Sequence, residues 1–279
     1  MTSAAAPPVT RHLADTRLGQ MHVRLAGPTG PADAHPPLVL LHMSPLSGHM
    51  FDLVLPQLAA DRVVVLPDRM GFGQSDRLAA PVPFESYAAA TADALDELGI
   101  DEFDVFGIHT GSCESVEHAV ARPGRVRRAG VAAVPVFTPQ EVADFKAHYN
   151  APPELHADGS HLARYWDWWT QAGIWWEEQG RPAWSPELRF SRVRDHLIAG
   201  PDVWWTYHAV FDYPMGERVA AVTQPFLVLA PHDDLWAQTE RGLALLPPGA
   251  EVVDMPDADS EIFTLNAGEV AAHLRRFFS

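Results

Sequence analysis

Gly107-Ile108-His109-Thr110-Gly111 lies between two runs of different character. Before it, Phe103-Asp104-Val105-Phe106 reads as a short buried strand, and after it Ser112 to Ala121 has the composition of a helix. A strand that passes directly into a helix needs a tight corner. Side chains flanking the corner would collide with it, and glycines stand at both flanking positions. The residue between them is driven toward positive φ, which histidine tolerates better than most non-glycine residues. Its ring projects beyond the strand, at the N-terminus of the next helix, where the dipole disfavours an imidazolium. A neutral His109, able to act as a general base, is the expectation from this corner.

The rest of the chain supplies matching strands. Pro37 to His42, Arg62 to Pro67, Ala129 to Val134, Pro225 to Ala230 and Glu251 to Met255 are short apolar runs. Such runs suit strands buried on both faces, as in a parallel sheet covered by helices. Helical patterns alternate with them. Ser86 to Leu98 carries Tyr87, Ala90, Ala94, Leu95 and Leu98 on one stripe and is closed by Gly99; Ala267 to Phe278 is amphipathic. This alternation predicts a doubly wound α/β core with right-handed crossovers.

Residues 137–215 break the rhythm. Eight of the nine tryptophans fall between Trp166 and Trp205. We expect a helical Trp-rich lid there, over a core formed by 1–136 and 216–279. Tyr165, Trp168, Trp169, Ala172 and Trp176 share one helix face. An aromatic stripe of this kind packs a lid, and so many tryptophans also suit the wall of an apolar pocket. Trp168, Trp176 and Trp205, with Met43 below, are the candidate substrate contacts.

Bulk properties narrow the partners. The 279 residues fit one large α/β domain, or a core with an insertion. A net charge of −16 argues against nucleic acid and anionic membrane surfaces. Cys113 is the only cysteine, which excludes an internal disulfide and fits the cytoplasm. Met1 to Pro8 reads as a disordered lead-in, without the regions of a signal peptide, and no stretch is apolar enough to span a bilayer. A monomer or homodimer is expected. No His/Cys/Asp/Glu spacing has the look of a zinc site, so neither metal nor cofactor is expected.

Four motifs in order extend the comparison: Leu41-His42-Met43-Ser44-Pro45, Asp68-Arg69-Met70-Gly71-Phe72-Gly73-Gln74-Ser75, the corner at 107–111, and Pro231-His232-Asp233-Asp234 after a strand. Together they resemble the α/β-hydrolase superfamily in its lid-bearing, small-molecule form. That resemblance implies a mostly parallel eight-stranded sheet flanked by helices. It makes 107–111 the nucleophile elbow, with the backbone N–H groups of Ser44 and Thr110 as the oxyanion hole. Asp234 takes the acid position. The departures are specific: Met43 replaces a glycine, His109 replaces the nucleophile, and Ser260 stands where the catalytic histidine belongs.

Two arrangements of His109, Asp234 and Ser260 follow. Ser260 and His109 form an exchanged dyad, with Ser260 attacking from a flexible loop. Otherwise His109 is the base toward substrate or water, oriented by Asp234 and Ser260. A base beside an oxyanion hole suits ester or lactone opening, carbon–carbon cleavage, enolisation and ring closure. The expected activity is therefore that of a cofactor-free enzyme on a small apolar or aromatic carbonyl compound, with His109 as general base. Lyase or cyclase chemistry, and a catalytically silent small-molecule-binding protein, are the alternatives. Among the remaining candidates, Cys113 reads as a packed residue, His42 as a backbone-bonded one, and His232 and Asp233 as solvated loop residues.

Overall fold

Six consecutive strands of the sheet are those the apolar runs predict: β3 (Leu38–Leu41), β4 (Val64–Pro67), β5 (Phe103–Ile108), β6 (Val126–Ala132), β7 (Phe226–Pro231) and β8 (Glu251–Met255). A hairpin, β1 (Val9–Thr16) and β2 (Gly19–Ala26), joins them. The eight strands form one sheet in the order β1-β2-β4-β3-β5-β6-β7-β8. From β4 to β8 every pairing is parallel; β1 and β2 pair antiparallel, as do β2 and β4. The computed structural model describes residues 8–28, 35–152 and 154–279, so the expected lead-in lies outside the described residues apart from Pro8.

Strands β3, β4, β5 and β7 are buried on both faces, as expected. The outermost strand β8 departs from that expectation: Val252 is exposed at the edge of the sheet. Strand β6 starts before its apolar run, at Val126, since Arg127 is accommodated by pairing with the buried Asp104.

The period-two alternation of strand side chains divides the core in two. Val39, Leu41 and Val105 face α2 (Phe84–Glu97) and α3 (Thr110–Ala121). Leu38, Leu40, Phe106 and Ile108 face the opposite layer, with Leu55 and Leu58 of a short helix (Leu55–Leu58) and Val270 and Leu274 of the C-terminal helix (Ala267–Phe277). Each such fully buried aliphatic or aromatic side chain is worth about 1.5–3 kcal/mol.

The segment rich in tryptophan is helical. It contains α4 (Pro139–His148), α5 (Ser160–Glu178), α6 (Pro186–Ala199) and α7 (Val203–Asp212). Thr138 opens α4 with a capping box: its side chain accepts from Glu141 N–H, and the Glu141 carboxylate accepts from Thr138 N–H. Trp169 and Trp176 from α5 and Trp184 before α6 are buried with the second core layer, which ties the insertion to the sheet. No helix among the described residues is long and apolar enough to cross a membrane.

The corner after β5 is as tight as its glycines suggest. A Cβ on Gly107 would lie 1.9 Å from the Gly111 carbonyl oxygen, and one on Gly111 would lie 2.0 Å from that of Leu41. Both obstacles are backbone and cannot swing aside. We therefore expect Gly111→Ala to cost more than about 3 kcal/mol, read as a lower urea midpoint. Gly124→Ala is the control, with open space at its Cβ. Equal midpoints for the two variants would contradict the close approach.

Candidate active site

His109 occupies the corner at φ 51° and ψ −111°, one of two non-glycine residues with positive φ among those described. Its backbone is held at both ends: its N–H donates to Ala132 O at 3.1 Å, and its carbonyl accepts from Ser112 N–H at 2.9 Å. The imidazole is thereby fixed at the floor of a cavity of about 640 Å³. Met43, Ser44, Thr110, Asp234 and Ser260 open onto the same cavity. The sequence-derived candidates therefore converge, with one exception.

The exception is Trp205, which faces two separate hollows, beside Met70 and beside Phe84. Tyr207, Val210 and Phe211 carry the cavity-facing side of α7. At about 3.6 residues per turn, position 205 falls on the other side of that helix. Trp168 and Trp176 do line the cavity, as expected.

The acid on His109 is Asp233. Its Oδ2 lies 2.7 Å from His109 Nε2, and its Oδ1 accepts from Leu235 N–H at 2.9 Å. The Asp233 side chain is wholly buried, so the expectation of a solvated loop residue is overturned. Asp234 is turned into the cavity instead, and no hydrogen bond joins it to His109. Burial alone would lower the His109 pKa. The charge and hydrogen bond of Asp233, with Asp234 and Glu261 beyond it, outweigh burial and push it up to about 9. The expectation of a neutral imidazole is corrected accordingly: a helix dipole is worth about 0.3–1 kcal/mol, too little against a buried carboxylate in contact. Asp234, exposed on the cavity, is itself raised, by desolvation from the surrounding protein and then by the neighbouring Asp233 charge.

One ligand-capable atom from each of His109, Asp233 and Asp234 lies within 4.8 Å of the others. These three could surround a cation, but Nε2 already holds the proton shared with Asp233. A cation at Nε2 would have to displace that proton and break the hydrogen bond to Asp233.

Ser260 is better held than a flexible loop allows. The residues on either side of it are tied to the insertion: Asp259 accepts from Trp184 Nε1 at 3.2 Å, and Glu261 pairs with Arg192 Nε at 2.7 Å. Ser260 is buried between them and makes no hydrogen bond to His109. The loop of Met43 and Ser44 is fixed from behind by a buried network invisible in the motifs. Arg69 donates through Nε to Glu114 at 2.8 Å and through Nη2 to His42 O at 2.8 Å. Arg69 N–H also donates to His42 Nε2 at 2.9 Å, while the other ring nitrogen of His42 bonds Met43 O, which fits a structural His42. Ser44 N–H reaches Thr110 Oγ1 only at 3.4 Å, a weak bond that a better acceptor would displace. Thr110 opens α3, whose first amides have no partner within the helix. Cys113 is buried in α3, with its thiol pushed up to about 12, and serves packing.

Residues 36–150 match the family model of the alpha/beta hydrolase fold. The chain is 38% identical over 77 residues to 2-hydroxymuconate semialdehyde hydrolase of a Pseudomonas strain, a match covering 27% of each chain. It is 32% identical over 124 residues to a haloalkane dehalogenase of Mycolicibacterium paratuberculosis, covering 42% of this chain and 39% of that one. The first two curated relatives are thus spanned over only 27% and 28% of their length. Among solved structures, the enol-lactonase from Burkholderia xenovorans superposes with a TM-score of 0.77 at 19% identity, over 95% of this chain and 99% of that one. An epoxide hydrolase from an endophytic Streptomyces gives 0.75 at 20% identity, over 96% and 95%. The chain has the α/β-hydrolase fold.

The ion pair has a direct signature. Because folding raises the His109 pKa above its ordinary 6.5, its stabilisation is complete below that pH and is lost as pH rises through about 9. Asp233→Asn leaves burial dominant and brings the imidazole below 6.5. Proton NMR of the ring protons, with His109→Gln for assignment, measures both values. An imidazole that titrates near 6.5 in the unmodified protein contradicts the pair.

Proposed function

We propose that this α/β-hydrolase-fold chain is an enzyme for a small, largely apolar or aromatic carbonyl compound, with His109 as its proton-transfer residue in place of a serine nucleophile. The observation that carries this reading is the His109–Asp233 pair at the floor of an aromatic-walled cavity. An ester, a lactone or a carbon–carbon bond beside a carbonyl are the bonds in view. The names of two relatives, a semialdehyde hydrolase and an enol-lactonase, agree with that class.

The altered charge state of His109 changes the order of its work. At neutral pH the imidazolium is a donor, and Nδ1 carries the proton that Asp233 does not hold. The substrate carbonyl docks against Nδ1–H and the N–H groups of Ser44 and Thr110, which favour negative charge developing on its oxygen. Asp234, a carboxylate of raised pKa at the same site, takes a proton from water or from carbon. Two groups in one site, one holding its proton and one able to accept, divide acid from base. Once His109 has given up its proton it is the general base that the elbow suggests, and it completes the turnover by recovering it. The helical insertion acts as the lid that excludes solvent from this exchange. A lone buried thiol and the absence of charge complementarity to membranes support a cytoplasmic monomer or homodimer.

Activated aryl esters, enol lactones and 1,3-diketones are the substrates with which to test this. We expect His109→Gln and Asp234→Asn each to lower kcat/KM at least about 100-fold, and Ser260→Ala less than about tenfold. The rate should fall as pH rises through about 9, where the donor is lost. Loss of activity in Ser260→Ala as complete as in His109→Gln would establish the exchanged dyad instead. Ligands bound tightly but never converted would establish a binding protein.

A further inference from the structure

The cavity holds two side chains to which the reaction above gives no task. Tyr149, just beyond α4, and Tyr207, in α7, both line it, as does Asp234. Their ring centroids are 4.5 Å apart with planes tilted by 31°. His208 Nε2 donates to the Tyr149 carbonyl at 2.6 Å, which fixes the end of α4 against α7. Trp168 packs on Tyr149 at 5.9 Å, and Phe211 stacks on Tyr207 at 6.4 Å. The two phenols therefore share one stretch of an otherwise apolar wall.

A tyrosine hydroxyl in such surroundings ordinarily finds a partner. Tyr87 and Tyr213 do: Thr206 Oγ1 donates to Tyr87 at 2.9 Å, and Tyr213 donates to Glu117 at 2.9 Å. Tyr149 and Tyr207 are half-buried where they open on the cavity, and their hydroxyls make no hydrogen bond to any described residue, which leaves them free for a ligand. Burial and then the nearby Asp234 charge push Tyr149 up to about 12; burial, then Tyr149, then Asp234 push Tyr207 well above its ordinary value. Both remain protonated donors within reach of the Asp234 field.

We infer that Tyr149, Tyr207 and Asp234 form a subsite for a hydroxyl group on the substrate, which makes the ligand a hydroxylated carbonyl compound. The inference rests on the carbonyl reading above. A hydroxyl has one proton to give and lone pairs to receive. Asp234 accepts that proton through one carboxylate oxygen, leaving the other for proton transfer, and the phenols donate to the hydroxyl oxygen. A second carbonyl has no proton for Asp234. An ammonium would satisfy Asp234 and the rings and leave both phenol protons unmatched.

Isothermal titration calorimetry with acetophenone, its three ring-hydroxylated isomers and benzylamine tests this without requiring turnover. At least one hydroxylated isomer should bind about tenfold more tightly than acetophenone. Tyr149→Phe and Tyr207→Phe keep the rings; each should reduce that preference, and the double variant should abolish it while acetophenone affinity stays unchanged. Equal affinity for all four ketones, a preference that survives in the double variant, or benzylamine binding best would overturn the subsite. A phenol-dependent preference in a protein that converts no carbonyl compound would sink the catalytic reading alone. Turnover without any preference would sink only the subsite.

Discussion

Everything at the site depends on how closely three pieces of backbone approach one another. The carbonyl of Leu41 passes within 2.0 Å of where a Gly111 Cβ would stand, and the carbonyl of Gly111 lies equally close to position 107. The first turn of α3 is therefore pressed against the ends of β3 and β5, and residue 109 is left with one conformation. Its φ of 51° costs energy for a residue with a Cβ, and the packing around it over-determines the choice. A side chain at this point has no freedom to avoid the cavity. The chemistry of position 109 is thus set by identity alone, since geometry is already spent.

Given that placement, electrostatics decides the state of the imidazole. Three influences oppose the charged form or support it: burial and the start of α3 oppose, and the carboxylate of Asp233 supports. Contact at 2.7 Å with a fully buried acid prevails. The floor of the cavity then holds a compact group, His109, Asp233 and Asp234, with Asp234 the exposed member. The network of Arg69, Glu114 and His42 performs the complementary duty on the far side, holding the loop of Met43 and Ser44 still. Removing one partner of such a buried pair costs about 3–5 kcal/mol, so the loop is anchored by an interaction the protein cannot lightly lose.

The sequence made the central sheet legible because strands buried on both faces must be apolar throughout. It hid the hairpin at the other edge for the converse reason. On β2, His22 and Arg24 are buried polar residues, paired with Asp68 and Asp52, which are distant in the chain. Their burial leaves no mark in local composition, although Gly19 and the alternation of Met21, Val23 and Leu25 were available as signals. At the site, the corner and its histidine were plain. Which of two adjacent aspartates bonds His109 was not, since the exit turn of β7 decides it and neighbouring residues point apart. Likewise Trp205 looked equivalent to its neighbours in composition but differs in helical phase. Tyr149 and Tyr207 are far apart in sequence and meet only through the packing of α4 against α7.

Positions 109 and 260 open on one cavity, so the identity of each limits what the other can do. His109→Ser alone would leave two hydroxyls and no imidazole in the floor. Ser260→His alone would leave two imidazoles and no attacking oxygen. Neither single change therefore yields a serine–histidine pair across this floor; only the two together would. The walls carry no such constraint: a change at Trp168 or Trp176 alters the shape of the cavity and leaves both floor positions as they are.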